Sequence, residues 1–210
     1  MADRYKFEKQ LLKENYKRIL GLDEVGRGCL SGPVVAAGVI LNPDDPIEGL
    51  ADSKTLDLPT REELAREIKN RSLFYTIAKC SPAEIDRLNI LKASIEAMTR
   101  CVKADGANPD FLLVDGNKFT SSLLIPYQCI VKGDDRSASI AAASILAKVH
   151  RDRLIKQLHH DYPYYGWNTN VGYPTKAHYE GLKKHGYTVH HRRSFNLKTN
   201  KRNHGQEEET

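Results

Sequence analysis

Gly21-Leu22-Asp23-Glu24-Val25-Gly26-Arg27-Gly28 sets two adjacent carboxylates at the end of an apolar run and follows them at once with Gly-Arg-Gly. The run Ile19-Leu20-Gly21-Leu22 reads as a strand entering a core. Burying two carboxylates there is costly unless they are paired or bind a metal. Glycines allow backbone to approach a ligand closely, and the arginine points to an anion. Carboxylates beside phosphate-compatible backbone compose a metal-dependent phosphodiester site.

Reading outward, a short polar helix is expected over residues 6–18 and strand 1 over about 19–25. Pro33 to Leu41 is a continuous apolar strand, stopped by Asn42-Pro43-Asp44-Asp45-Pro46. Thr60-Arg61-Glu62-Glu63 reads as a capping box opening a helix to about Asn70. Phe74–Cys80 alternates as a strand, and Ser81-Pro82-Ala83-Glu84 is a second capping box with proline at the first helical position. Helices then run to about Ala104, with a break near Asn89. Phe111–Asp115 and Tyr127–Val131 are short strands. Ser137 to about His160 is helical, its first half apolar nearly all round and therefore buried. Lys176–Lys184 closes the pattern, capped by Thr175. This order predicts an α/β fold whose mixed sheet combines an antiparallel meander with parallel strands joined through helices.

Three strand ends deliver carboxylates: Asp23 with Glu24, Asp115, and Asp134 just after the fifth strand. Ligands of α/β sheets bind beyond the carboxyl ends of the strands. Anions converging there call for hard divalent cations, magnesium or manganese. Neighbours on a regular strand face opposite ways, so Asp23 and Glu24 share a site only if the strand ends or bulges there. A carboxylate after a strand also serves as a turn residue or helix cap, and Asp134 or Asp135 could cap the helix near Ser137.

The bulk figures narrow the class. At 210 residues, 40% hydrophobic and 28% charged, the chain has the composition of one soluble globular domain. No apolar run approaches the roughly 18 residues of a membrane span, and the polar N-terminus lacks the apolar core of a secretory signal. The cytoplasm is the expected compartment. Cys29, Cys80, Cys101 and Cys129 form no C-x-x-C pair and read as reduced thiols. Residues 176–202 carry Lys176, Lys183, Lys184, Arg192, Arg193, Lys198, Lys201 and Arg202 against one acid, Glu180, a run that reads either as a solvated helix face and tail or as a phosphate-binding surface.

These motifs together resemble ribonuclease HII, the type 2 ribonuclease H family. Its opening is similar to residues 21–28 with Ser31-Gly32-Pro33-Val34-Val35-Ala36-Ala37. Further matches follow in order at Asp52-Ser53-Lys54-Thr55-Leu56, at Leu113-Val114-Asp115-Gly116, at Lys132-Gly133-Asp134 with residues 139–152, at Gly172-Tyr173-Pro174-Thr175-Lys176-Ala177-His178, and at His191-Arg192-Arg193-Ser194-Phe195. The resemblance covers residues 18–196. It implies a ribonuclease H-like mixed five-stranded sheet flanked by helices, with a C-terminal helical extension. It implies one catalytic domain over 1–210, with a basic substrate-binding part over about 160–200 and a disordered tail over about 200–210.

It also implies hydrolysis of RNA in RNA–DNA hybrids and incision 5′ of single ribonucleotides in duplex DNA, leaving 3′-hydroxyl and 5′-phosphate ends. The metal-binding carboxylates would be Asp23, Glu24, Asp115 and Asp134, holding Mg2+ or Mn2+. Gly26, Arg27 and Gly28 would sense the 2′-hydroxyl through their backbone. Tyr173 would pack on the sugar at the junction, and Lys54 would sit near a phosphate. A monomer without membrane association is expected. The related type III enzymes carry a large N-terminal domain, and the arginine of Gly-Arg-Gly fits type II better. None of the histidines shows a trusted metal-ligand spacing, and none is assigned to catalysis.

Overall fold

The computed structural model describes residues 3–51, 53–195 and 197. Five strands form one sheet in the order β3-β2-β1-β4-β5: β1 Ile19–Val25, β2 Val34–Ile40, β3 Phe74–Cys80, β4 Phe111–Asp115 and β5 Tyr127–Ile130. β1–β2 and β2–β3 are antiparallel, while β1–β4 and β4–β5 are parallel. The mixed sheet expected from the order of elements is therefore present.

Side-chain alternation along the central strands splits the core into two layers. Val35, Ala37 and Val39 pack with Ile68 of α2 (Leu58–Arg71) and with the alanines of α6 (Ala138–Asp161). Leu20, Leu22, Val34, Ala36, Leu112 and Val114 pack on the other face against Ala93, Ala97 and Cys101 of α4 (Ile90–Val102). Gly21 explains how closely α6 lies on β1, because a Cβ there would run into Ser139. That contact sets the long helix directly beneath the strand bearing the two carboxylates.

Several boundaries differ from expectation, each for a local reason. The first helix, α1, spans only Lys6–Lys13, since Asn15 turns left-handed (φ 71°) and reverses the chain. Thr60 does not cap α2. Asp57 does, accepting from the Thr60 N–H at 2.9 Å, with Pro59 in the first turn. The second box is present with both halves, Ser81 and Glu84 each accepting from the other's N–H, at the start of α3 (Pro82–Leu88). Asn89 at φ 68° makes the break before α4 and also caps it. Neither Asp134 nor Asp135 caps α6. Both lie in a separate turn, α5 (Gly133–Arg136), and Ser137 takes the capping role through Ile140 N–H.

The C-terminal part packs on the far half of α6. It comprises a 3-10 turn Pro163–Tyr165, α7 (Trp167–Asn170) and α8 (Lys176–His185), capped as expected by Thr175. Trp167, Tyr165, Ile155 and Leu182 form its own apolar cluster. The four cysteines are free thiols. Among the described residues no helix is long and apolar enough to cross a membrane. Asp52 of the second motif and the tail over about 200–210 lie outside the described residues.

Candidate active site

The four expected carboxylates come together. A cleft of about 250 Å³ at the carboxyl end of β1 and β4 is lined by Asp23, Glu24, Asp115 and Asp134, with Lys54, Ser144, Lys148 and Tyr173 around them. The difficulty posed by adjacent Asp23 and Glu24 is resolved without a bulge. β1 stays regular against β2 as far as Val25↔Val35. Its parallel ladder to β4, however, ends at Leu22↔Val114. Past that point the β4 side of the strand is open, and both side chains line the cleft while keeping opposite faces. Asp23 faces α6 and Ser144. Glu24 also walls a smaller cavity with Leu91, Ser94 and Met98 of α4.

Crowding shows in the protonation equilibria. Burial, then the charges of Glu24 and Asp115, push the Asp23 carboxyl well above its ordinary range. Burial also raises Glu24, against the opposing pull of Arg27. The site is short of positive charge. What it has comes from the chain itself: Arg27 Nη1 sits 3.1 Å from Glu24 Oε1, and Lys54 Nζ lies 3.5 Å from Asp134 Oδ2. The Gly133 N–H donates to Asp115 Oδ1 at 2.7 Å. Among the described residues, no three His, Cys, Asp or Glu side chains are already gathered tightly enough to hold one ion. The donor set nevertheless fits a hard divalent cation, being all oxygen and repelling itself in the cation's absence.

The Gly-Arg-Gly segment follows Val25, which lines this cleft, and its arginine pairs with Glu24 and walls the smaller adjoining cavity. The loop is held from below by two arginines that sequence reasoning did not single out for this task. Arg151 donates to the carbonyls of Pro33 (3.1 Å), Val171 (2.8 Å) and Ser31 (3.0 Å). Arg192 donates to those of Gly32 (2.9 Å) and Arg27 (3.0 Å). Both are 0% exposed. Burial pulls the Arg192 guanidinium down to about 10. Gly26 is glycine because its φ of 95° and the Arg151 side chain beside it leave no room for a Cβ. The assignment of Arg192 to a phosphate-binding surface is thus corrected: it is an internal brace. Lys198, Lys201 and Arg202 of that run lie outside the described residues. Arg151 left one signal in the sequence, its place with Ser144, Lys148 and Ile155 on one stripe of α6.

Tyr173 lies on the rim of the cleft, its ring centroid 5.7 Å from Lys148 Nζ and 5.9 Å from Arg151 Cζ. Lys54 reaches the cleft too, although its side chain is 73% exposed. Gly28 is exposed, with open space around its Cα.

The family model "Ribonuclease HII" matches residues 20–198. The chain belongs to the ribonuclease HII family. A ribonuclease HII of Salinibacter ruber is 50% identical over 193 residues, covering 90% of this chain and 96% of its own. Among solved structures, the ribonuclease H2 of Pyrococcus horikoshii superposes with a TM-score of 0.73 at 26% identity, covering 85% of this chain and 94% of its own. Bst-RNase HIII, solved in complex with Mn2+, shares the fold at a TM-score of 0.63 and 18% identity, covering 85% of this chain and 67% of its own. Membership of the ribonuclease HII family makes this chain a hydrolytic nuclease of the ribonuclease H class, an endonuclease acting on RNA–DNA hybrids.

Proposed function

We propose that this nuclease also cuts 5′ of single ribonucleotides embedded in duplex DNA, using two divalent cations held by Asp23, Glu24, Asp115 and Asp134. The observation that carries the reading is the meeting of these four carboxylates in one cleft with Tyr173, with Arg27 beside Glu24 and Asp115 in the adjoining cavity. Bound magnesium or manganese would supply an activated water and charge stabilisation of the leaving 3′-oxygen. The remaining work falls to the chain. Arg27 and Lys54, which now neutralise Glu24 and Asp134, are positioned to turn to phosphate oxygens as cations take over the carboxylates. The main chain of Gly26, Arg27 and Gly28 supplies donors and acceptors for a 2′-hydroxyl, the group that separates RNA from DNA at one nucleotide. Tyr173 gives the sugar a flat wall. Exposed Lys176, Lys183 and Lys184 on α8 fit duplex phosphates. The reading takes residues 1–210 as a single domain acting as a monomer in the cytoplasm.

The test is end-labelled duplex DNA with one ribonucleotide, incubated with magnesium or manganese beside an all-DNA control. One cut 5′ of the ribonucleotide, leaving 3′-hydroxyl and 5′-phosphate ends and lost with chelator, is the expected result. An intact duplex beside a degraded long hybrid would remove the junction-sensing roles of the loop and Tyr173 and leave the carboxylate site standing. Cleavage that persists in chelator would remove the metal reading.

A further inference from the structure

We infer that His178 and His191 form a relay of fixed tautomers that positions Tyr173 on the cleft rim, an inference that rests on the reading of Tyr173 above. His178 Nδ1 lies 3.0 Å from the Tyr173 carbonyl. A carbonyl only accepts, so Nδ1 carries the proton and Nε2 is left with its lone pair. Trp167 Nε1, which only donates, points at that Nε2 from 3.2 Å.

The partner ring can be assigned from its other end. His191 Nδ1 lies 3.0 Å from Thr188 N and 3.0 Å from Thr188 Oγ1. A backbone N–H only donates, so this Nδ1 is bare and Nε2 carries the proton. His191 Nε2 stands 3.2 Å from the bare Nε2 of His178. The two assignments start from different groups and agree, with Trp167 and His191 sharing the single lone pair of His178 Nε2. A single chain of donation runs from Thr188 through His191 and His178 to the Tyr173 carbonyl.

Water offers no substitute partners, because Trp167 and His178 are 0% and His191 is 2% exposed. A third ring proton would set one N–H against another. Burial foremost, with the neighbouring histidines adding repulsion, holds His191 down at about 3, and burial lowers His178 as well. The relay is also stitched to the neighbouring loop over residues 26–33. The Leu30 N–H donates to the Gly172 carbonyl at 2.9 Å, and Ser31 pairs with His191 in an isolated bridge. Neither histidine lines the cleft, so both are positioning residues that act through Tyr173.

Two measurements on the full chain test this. Long-range proton–nitrogen spectra at neutral pH should show His178 protonated at Nδ1 and His191 at Nε2. The opposite tautomer, or averaging, at either ring overturns the relay. Variants then separate positioning from bulk stability. Glutamine mimics the Nε2 end of a histidine and asparagine the Nδ1 end. His191→Gln should therefore keep the donation to His178, and His191→Asn should lose it. His191→Asn should weaken the preference for a single-ribonucleotide duplex over a long hybrid about tenfold, mainly through KM, with His191→Gln close to wild type. Equal losses in both variants overturn the proposal. If Tyr173→Ala leaves that preference untouched, the reading of Tyr173 fails. The relay is then judged by the Tyr173 carbonyl carbon shift, which must move in His191→Asn and stay in His191→Gln.

Discussion

The two walls of the cleft are built on opposite terms. On the strand-end wall, four carboxylates crowd together, and burial and mutual repulsion drive Asp23 and Glu24 toward protonation. On the other wall, Tyr173 and the loop over residues 26–33 rest on Arg151, Arg192 and the histidine pair, whose hydrogen bonds largely run to main-chain carbonyls and to one another. One wall is unfinished without cations. The other already has its backbone tied by the chain's own groups, although Arg192 Nη2 and Ser31 Oγ stay buried without a hydrogen-bond partner among the described residues. The contrast separates chemistry from recognition: reacting charge is assembled on demand, while the surface that would read a sugar is preorganised.

The largest expected break comes from Asp23→Asn. Turnover should fall about a thousandfold or more, while duplex binding persists in a gel-shift assay. The same variant should melt higher than wild type in chelator, since it relieves repulsion in an active site. Normal cutting by this variant would sink the metal reading. Arg151→Lys attacks the preorganised wall. A lysine cannot span three carbonyls, so urea unfolding should show a loss of about 3 kcal/mol. A loss below about 1 kcal/mol would show that the brace is dispensable. Tyr173→Ala should reduce preference for the single-ribonucleotide duplex about tenfold while sparing metal-dependent cutting of long hybrids. Equal losses on both substrates would assign Tyr173 a general role.

Protonation sharpens the comparison in opposite directions. Asp23 is raised on folding, so its contribution is fully present below the unfolded carboxyl range and is lost as pH rises through its elevated folded value. In chelator, the melting temperature should sag over that rise, and Asp23→Asn should flatten the sag. Glu84, held by Arg100 and the Ser81 N–H at about 2, behaves conversely: its contribution is present above its unfolded value and fails only as pH falls toward 2. A melting curve with no pH-dependent difference between wild type and Asp23→Asn would deny the crowding. Lys54→Ala is the smallest effect. Its side chain is 73% exposed, so its pair with the buried Asp134 is screened and worth at most about 1 kcal/mol; stability should change little and KM for the duplex should rise. An unchanged KM would remove Lys54 from substrate binding.

Much of this was legible in the chain because short-range rules governed it. β3 and β4 fall at the residues that alternation and apolar runs indicated, and Ser81 and Thr175 cap as their local patterns required. The carboxylate cluster was legible because each member follows an apolar strand. The Thr60 box failed because a nearer competitor, Asp57 ahead of Pro59, claims the same N–H. The braces were illegible because their partners are carbonyls far along the chain, which carry no side-chain signature. Arg192 reads as a surface charge until its burial is seen, and the histidines have no spacing that announces a relay.

Those braces also impose an order in time. The carbonyls of Arg27 and Gly32 accept from Arg192 across 165 and 160 positions of chain, and that of Pro33 accepts from Arg151 across 118. A ribosome has therefore made nearly the whole described chain before the loop near its start can acquire a floor. The carboxylates at the strand ends need chain only as far as the first half of α6, where Ser139 packs on Gly21 and Ser144 meets Asp23. A nascent chain would thus gather its acid cluster before the loop opposite Tyr173 receives its last brace, Arg192.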